Sequence, residues 1–491
     1  MKEEAFDIVH PERKAAGRIR AVVFDFDGTF STLRCGWEKV MRPLMLEMIS
    51  GGPAEEASEE LRQEVDAYID ESTGIQTVYQ MMWLRDRVEQ EGRGASDRDE
   101  WWYKEAYNKR LMEQVQRRLD RLECGQDMPE QYLISGAVSF IRALKEHGVR
   151  LYLASGTDHE DVIREAEALG VAKYFTKIKG APSHMAACSK EAVIRMILEE
   201  EHVSGEEMLL VGDGKVEIAL GREVGAFTLG VATDEEARHG LNSVKYKRLK
   251  KAGADVITGD FTRLNALLSW LGFEEAFNQR TRTMVDDFFT LHSEILCLRA
   301  EAERAIMRWV HTFDAGNKLL LCGNGGSAAD CDHIAGELLK GFLLKRPLDQ
   351  TLRKKLEDLY GEDGEKLGKA LQQGLPAISL VNHGAAISAF ANDVDAEYVY
   401  AEQVTAYGKK GDTLVGISTS GNAKNVDAAV KTARAFGLHT IGLSGKGGGK
   451  LKERCDICLT VPEEETYRIQ EYHLMLYHLL CAGAESEIFR E

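Results

Sequence analysis

Strand and helix periods alternate along most of the chain, and their order predicts its architecture. An apolar run, Arg20–Phe26 (RAVVFDF), has the length and β-branched content of a buried strand. From about residue 31 to residue 133 the apolar positions recur at three- and four-residue spacing, in EKVMRPLMLEMI, GIQTVYQMMWLRDRV and WWYKEAYNKRLMEQVQRRL, which predicts a block of amphipathic helices. Strand and helix then alternate. SGAVSFIRALKEHG reads as helix, VRLYLAS as strand, DHEDVIREAEALG and SKEAVIRMILEEEH as helices, and EMLLVGDG as a strand ending in a loop. Such alternation predicts a parallel sheet covered by helices on both faces.

The rhythm breaks near residues 260–279, and residues 276–315 read as one or two long amphipathic helices. A second alternating unit follows, with strands in KLLLCGNGG, LPAISLV, DTLVGISTSG, HTIGLSG and ICLTVP and a closing helix from about Thr466 to Ala484. Residues 350–373 form a charged helical excursion within it. The predicted fold is therefore α/β: two tandem doubly wound parallel-sheet domains, Rossmann-like or flavodoxin-like, the first with a helical cap insertion. The expected boundaries are a tail over 1–18, a first domain over 19–270 with its cap at about 31–133, and a second domain over 276–491.

A length of 491 residues suits two catalytic cores plus an insertion. With 62 Lys and Arg against 80 Asp and Glu the net charge is −18, which argues against nucleic acid or an anionic membrane as partner. Phosphate stays accessible to such a chain, because backbone amides and a bound metal hold it locally. The nine cysteines are odd in number and scattered, unlike a secreted disulfide framework. Cys455 and Cys458, the one C-x-x-C, sit in strand-like ERCDICLTV and read as strand residues rather than a zinc or redox pair. A polar start without a signal-peptide core, and the lack of an apolar run near the ~18–20 residues of a membrane span, give the expectation of a cytoplasmic location.

Asp25 and Asp27 follow the first strand in FDFDGTF, where alternation puts both carboxylates on one side of the chain. One could attack phosphorus and the other protonate a leaving oxygen. Ser155 ends the next strand in LASGT, Lys190 opens a later helix, and Asp213 and Glu217 follow another strand in VGDGKVEIA. This order resembles the haloacid dehalogenase-like superfamily over about residues 18–260. The resemblance implies Asp25 as phosphorylated nucleophile and Asp27 as acid/base, Ser155, Gly156 and Lys190 as phosphate ligands, and Mg²⁺ held among Asp25, Asp27, Asp213 and Glu217. Glu217 stands where the family often has Asp. An Asp at both positions of D-x-D implies phosphotransfer rather than dehalogenation, and the helices over 31–133 would be the cap that selects substrate. Trp101, Trp102 and Tyr103 could face its chamber, although aromatics at helical spacing more often belong to a core.

In the second unit CGNGGSAADCDHIAGEL places glycines between strand and helix, and GISTSGNAKNV places three hydroxyls, Ser418, Thr419 and Ser420, at a strand end. Both suit a phosphate monoester at a helix mouth, and neither is a nucleotide P-loop. His333 and Glu337 share a helix face at i, i+4, while Gln470, His473 and His478 lie on the last helix. With FANDVD, GKGGGKL and YRIQEYHLMLYH, these segments resemble the sugar isomerase (SIS) fold and within it the phosphoheptose isomerases, over about 276–491. The resemblance implies conversion of sedoheptulose 7-phosphate to D-glycero-D-manno-heptose 7-phosphate. Glu337 would be the base and His478 its acid/base partner, with His333, Glu337, Gln470 and His478 as Zn²⁺ ligands. Phosphate would fall to the loops of Gly325, Gly326 and Ser327 and of Ser418, Thr419 and Ser420, and the sugar to Asn324, Asn392 and Asp393. Homotetramers are implied as well. Ala423 stands where many members have Ser, and the 350–373 segment is longer than in compact members.

The leading expectation is thus a bifunctional enzyme, a Mg²⁺-dependent phosphatase of a small phosphorylated metabolite, a heptose phosphate among the candidates, joined to a ketose–aldose isomerase. The alternatives are a sugar-phosphate sensor built on the SIS fold and a phosphomutase in the first domain.

Overall fold

The computed structural model describes residues 6–72, 75–92, 98–181 and 190–489. It divides into two compact units: unit 1 comprises residues up to 263 with 267–275, and unit 2 comprises 264–266 with 276 onward.

Unit 1 is built on a seven-stranded sheet. Its strands are β1 (Phe6–Ile8), β2 (Ala21–Phe24), β3 (Arg150–Asp158), β4 (Lys177–Ala181), β5 (Met208–Gly212), β6 (Phe227–Val231) and β7 (Val256–Thr258), in the spatial order β1-β7-β6-β5-β2-β3-β4. All pairs are parallel except β1 with β7. The central strands are buried on both faces, as a doubly wound sheet requires, and β2 and β5 are buried along their whole length. The chain runs outward from β2 to β3 and β4, then returns to β5 on the other side of β2. This reversal leaves a crevice at the carboxyl ends of β2 and β5, where open α/β sheets bind ligands. Residues 6–8 correct the expectation of a plain tail over 1–18: they add an antiparallel edge strand, and Arg13 then pairs with the buried Asp255 at 2.8 Å.

Between β2 and the next core helix lie four cap helices, α1 (Trp37–Ser50), α2 (Glu59–Glu71), α3 (Thr77–Gln90) and α4 (Glu100–Glu123). Ser58 and Asp99 cap α2 and α4 by accepting from Leu61 N and Trp102 N. Tyr103, Tyr107, Leu111, Val115 and Leu119 recur every fourth residue of α4 and form its buried stripe. The cap's entry and exit segments run side by side and antiparallel. Ser31 bridges Leu133, Thr32 N donates to Tyr132 O at 2.8 Å, and Ile134 N donates to Phe30 O at 3.1 Å.

Unit 2 has five parallel strands, β8 (Leu319–Gly323), β9 (Ala377–Ser379), β10 (Thr413–Ile417), β11 (His439–Ser444) and β12 (Ile457–Thr460), in the order β12-β11-β10-β8-β9. The same reversal occurs here, between β8 and β10. The expected helices are present: Gln279–Leu291 and Arg299–Asp314 precede β8, and Gln350–Tyr360 with Glu362–Ala370 form the excursion. The final helix runs Thr466–Ile488, and Gly326–Leu339 follows β8. Cys455 and Cys458 are both buried, Cys458 within β12 and Cys455 just before it. Among the described residues no helix is long and apolar enough to cross a membrane.

The loop after Gly326–Leu339 is tied to the final helix by a buried ion pair. Arg346 Nε donates to Glu485 Oε1 at 2.7 Å with both side chains at most 1% exposed, and Glu485 also accepts from the backbone N–H of Phe342, Leu343 and Leu344. Removing one partner strands the other charge. Arg346→Ala is therefore expected to destabilise the protein by about 3–5 kcal/mol, read from the shift of its urea midpoint.

Candidate active sites

In unit 1 the reversal point gathers the D-x-D residues with partners from three other strand ends. Gly28, at φ 71°, turns the chain after Asp27, and a Cβ there would lie 2.5 Å from Asp213 Oδ2, so the end of β5 closes directly on this turn. Asp27 Oδ2 accepts from Thr157 Oγ1 at 2.7 Å and from Ser155 Oγ at 3.3 Å. Its other oxygen, Oδ1, is buried and has no hydrogen-bond partner. Lys190 opens helix Lys190–Glu200 and reaches Asp25 Oδ1 at 2.7 Å while also pairing with Glu217. Burial raises the Asp25 carboxyl to about 8; Lys190 opposes this and the carboxylates of Glu217 and Asp213 add to it. The cluster holds more carboxylates than lysines.

Sequence reasoning missed several members of this site. Lys245, in the first turn of helix Ser243–Ala252, lies between Asp213 (2.7 Å) and Glu235 (2.5 Å). Arg34, at the cap entrance, pairs with the buried Glu165 at 2.6 Å, and its Nε stands 3.9 Å from Asp27. None belongs to a recognisable local motif, and a lysine or arginine in a charged helix or loop ordinarily reads as surface. Above the carboxylates lies a chamber of about 760 Å³, its solvent-facing part included. Its cap wall is formed by Trp37, Ile75, Thr77, Gln80, Tyr107 and Leu111, and Gly156 joins the floor. Trp101, Trp102 and Tyr103 are not part of it; Tyr103 belongs to the α4 stripe.

In unit 2 the two loops at the reversal point are fastened together. Asn324 and Asn425 exchange side-chain amide hydrogen bonds at 2.8 and 2.9 Å, and Tyr400 donates to Gly323 O at 2.6 Å. Ser327 is buried in the first turn of Gly326–Leu339, after Gly325 at φ 56°. Ser418 is buried, Ser420 Oγ accepts from Asn422 N at 3.2 Å, and Gly421 at φ 66° lies against the Gly448 carbonyl, leaving no room for a Cβ. Asn392 and Asp393 bond each other on an exposed π-helical turn over 391–395.

Farther along, His333 faces Glu337 at 3.2 Å through Nε2 and Tyr477 OH at 2.8 Å through Nδ1. The His478 ring lies 5.0 Å from His333, with its Nε2 buried and unpartnered. Burial and the neighbouring His333 hold His478 below the usual histidine range, with Glu337 opposing. Gln470 does not join this group. Its amide packs against Gly326, whereas Glu337 lies eleven positions down that helix and His478 eight positions down its own, separations of about 16 and 12 Å.

Among the described residues no three His, Cys, Asp or Glu side chains are gathered to hold a metal ion. In unit 1 the donors are nonetheless the hard oxygens magnesium takes, and the orphaned Asp27 Oδ1, the orphaned Glu217 Oε2 and the raised Asp25 all call for added positive charge. In unit 2 His333, Glu337 and His478 are of zinc-binding type, but the set with Gln470 is not assembled within one chain.

Comparison with known proteins bears on both units. Residues 19–225 match the model of haloacid dehalogenase-like hydrolases and residues 380–482 that of the SIS domain. The phosphoheptose isomerase of Aliarcobacter butzleri is 42% identical over 199 residues, 40% of this chain and 92% of that protein. The chain belongs to the phosphoheptose isomerase family. That of Trichlorobacter lovleyi is 41% identical over 39% of this chain and 85% of its own length. Among solved structures, a phosphoheptose isomerase from Neisseria gonorrhoeae is 30% identical, covering 46% of this chain and 97% of that one at a TM-score of 0.32. A haloacid dehalogenase-like protein from Streptococcus pneumoniae is 18% identical, covering 51% and 99% at 0.34. Unlike a lone isomerase-family domain, this chain carries a haloacid dehalogenase-like hydrolase domain ahead of it.

His473, in the isomerase-family unit, is fully buried, and burial holds it down at about 4, with the Ser444 backbone opposing. The unfolded chain thus binds this proton more readily than the folded one. Its contribution to stability is intact above about pH 6.5 and is lost as pH falls toward 4. From pH 7 to pH 5 it removes about 2 kcal/mol. His473→Leu is expected to lack that part of the acid dependence in urea titrations at the two pH values.

Proposed function

We propose that the chain is a bifunctional enzyme in which unit 1 is a phosphatase and unit 2 interconverts sedoheptulose 7-phosphate and D-glycero-D-manno-heptose 7-phosphate. The observation that carries this reading is that unit 1 gathers its carboxylates, lysines and hydroxyls at its sheet reversal point, ahead of a region 42% identical to a phosphoheptose isomerase. In unit 1 Asp25 would attack phosphorus, forming an aspartyl phosphate (an acyl phosphate) as the bond to the leaving oxygen breaks, and Asp27 would give that oxygen its proton. Asp27 would then take a proton from water, whose oxygen displaces the Asp25 carboxylate and frees inorganic phosphate. Thr157 and Ser155 fix the Asp27 carboxylate, and Lys190 holds Asp25 in place. Magnesium, held by Asp25 and Asp213 with Asp27, would offset the charge of the phosphoryl group.

In unit 2 the serine loops would take the substrate phosphate. Glu337 would carry the proton between C1 and C2, and His478, kept neutral near pH 7, would move protons between the sugar oxygens. The loop residue Ser327 and the base Glu337 are about 15 Å apart along one helix, which supports completion of the site by a second copy within a homotetramer. A cytoplasmic location accords with this chemistry.

The test is to supply the full-length chain with sedoheptulose 7-phosphate and, separately, with phosphate monoesters, following aldose formation and phosphate release. Absence of either activity would defeat the bifunctional reading, and phosphate reappearing on the same sugar would make unit 1 a mutase.

A further inference from the structure

The chamber over Asp25 also constrains what the leaving group can be. Among the described residues, each cation around it already faces two or more carboxylates. Lys190 lies between Asp25 and Glu217, Lys245 between Asp213 and Glu235, and Arg34 meets Glu165 at 2.6 Å and Asp161 at 3.4 Å with Asp27 nearby. Among the described residues, the hydrogen-bonding groups left open are uncharged and come from the cap. Tyr107, whose side chain is only 3% exposed, Trp37 and Thr77 line the chamber, and their hydroxyl and indole N–H groups make no hydrogen bond among the described residues.

The reacting phosphoryl group is provided for by Lys190 and Ser155. A second anionic group on the substrate would find no unpaired cation among the described residues, would lose its hydration, and would meet Glu235 on the chamber wall. Hydroxyl groups would instead find donors and acceptors, and the Trp37 and Tyr107 rings offer flat apolar faces to the C–H side of a sugar. We propose that unit 1 hydrolyses monophosphate esters of uncharged polyhydroxy compounds and discriminates against bisphosphates and phosphocarboxylates. This inference rests on the phosphatase reading above.

It is tested by steady-state phosphate release from the full-length chain with Mg²⁺. The substrates are p-nitrophenyl phosphate, glucose 6-phosphate, sedoheptulose 7-phosphate, fructose 1,6-bisphosphate and 2-phosphoglycolate. The best sugar monophosphate is expected to exceed the bisphosphate and the phosphocarboxylate at least about tenfold in kcat/KM. Tyr107→Phe, which deletes one buried hydroxyl, is expected to shrink the monophosphate-to-bisphosphate ratio about fivefold. Hydrolysis of p-nitrophenyl phosphate together with equal or better use of the bisphosphate or phosphoglycolate would overturn the inference while leaving the phosphatase intact. An unchanged ratio in Tyr107→Phe would overturn it too. If no substrate releases phosphate, the phosphatase reading falls and the inference with it.

Discussion

Asp25→Asn in the full-length chain is expected to lower phosphate release by on the order of 10⁴-fold or more while isomerisation stays within twofold of wild type. A carboxamide keeps the shape of the side chain at the end of β2 but has no anionic oxygen with which to attack phosphorus. It also removes one of the two carboxylates that hold Lys190. The two activities are measured on the same preparation, so a misfolded variant is recognised by loss of both. Retention of phosphate release within tenfold would remove Asp25 from the nucleophile's role.

The reciprocal experiment is Glu337→Gln. Removing the base is expected to lower isomerisation by about 10²–10⁴-fold, the range in which positioned proton transfer contributes, with phosphate release unchanged. The glutamine amide can still meet His333, 3.2 Å from the present carboxylate, so the change is confined to basicity. Solvent exchange at the C1–C2 positions gives a second readout: deuterium incorporation should fall in parallel with turnover. Incorporation that persists at the wild-type rate would assign the proton to another group.

Much of the architecture was legible because the central strands of both sheets are parallel and buried on both faces, which writes each as a short apolar run. The run at 20–26 became Ala21–Phe24, and the DTLVGISTSG and EMLLVGDG runs became Thr413–Ile417 and Met208–Gly212. What failed was set by distant partners. Phe6–Ile8 is three residues in a polar context and is a strand only because Val256–Thr258 lies beside it. The candidate residues tied to a strand end or a glycine turn were visible for the same reason: local backbone geometry demanded them. Thr157, Lys245, Glu235, Arg34 and Tyr107 were not, since each acquires meaning from side chains on other segments of the chain. The helix separations also could not be read from motif content alone. Gln470 and His478 occur in one short motif, yet the helix that carries them places them about 12 Å apart.

The paired entry and exit of the cap has a consequence for how such a protein can change over generations. Because the two ends of the roughly hundred-residue insertion meet across the Ser31–Leu133 bridge, the segment can be lengthened, recast or exchanged without altering the path of β2 or any strand of the sheet. Asp25, Asp27, Asp213 and Lys190 stay on the sheet's side of that junction, while Trp37, Thr77 and Tyr107 travel with the insert. The choice of metabolite is thereby heritable separately from the chemistry performed on it.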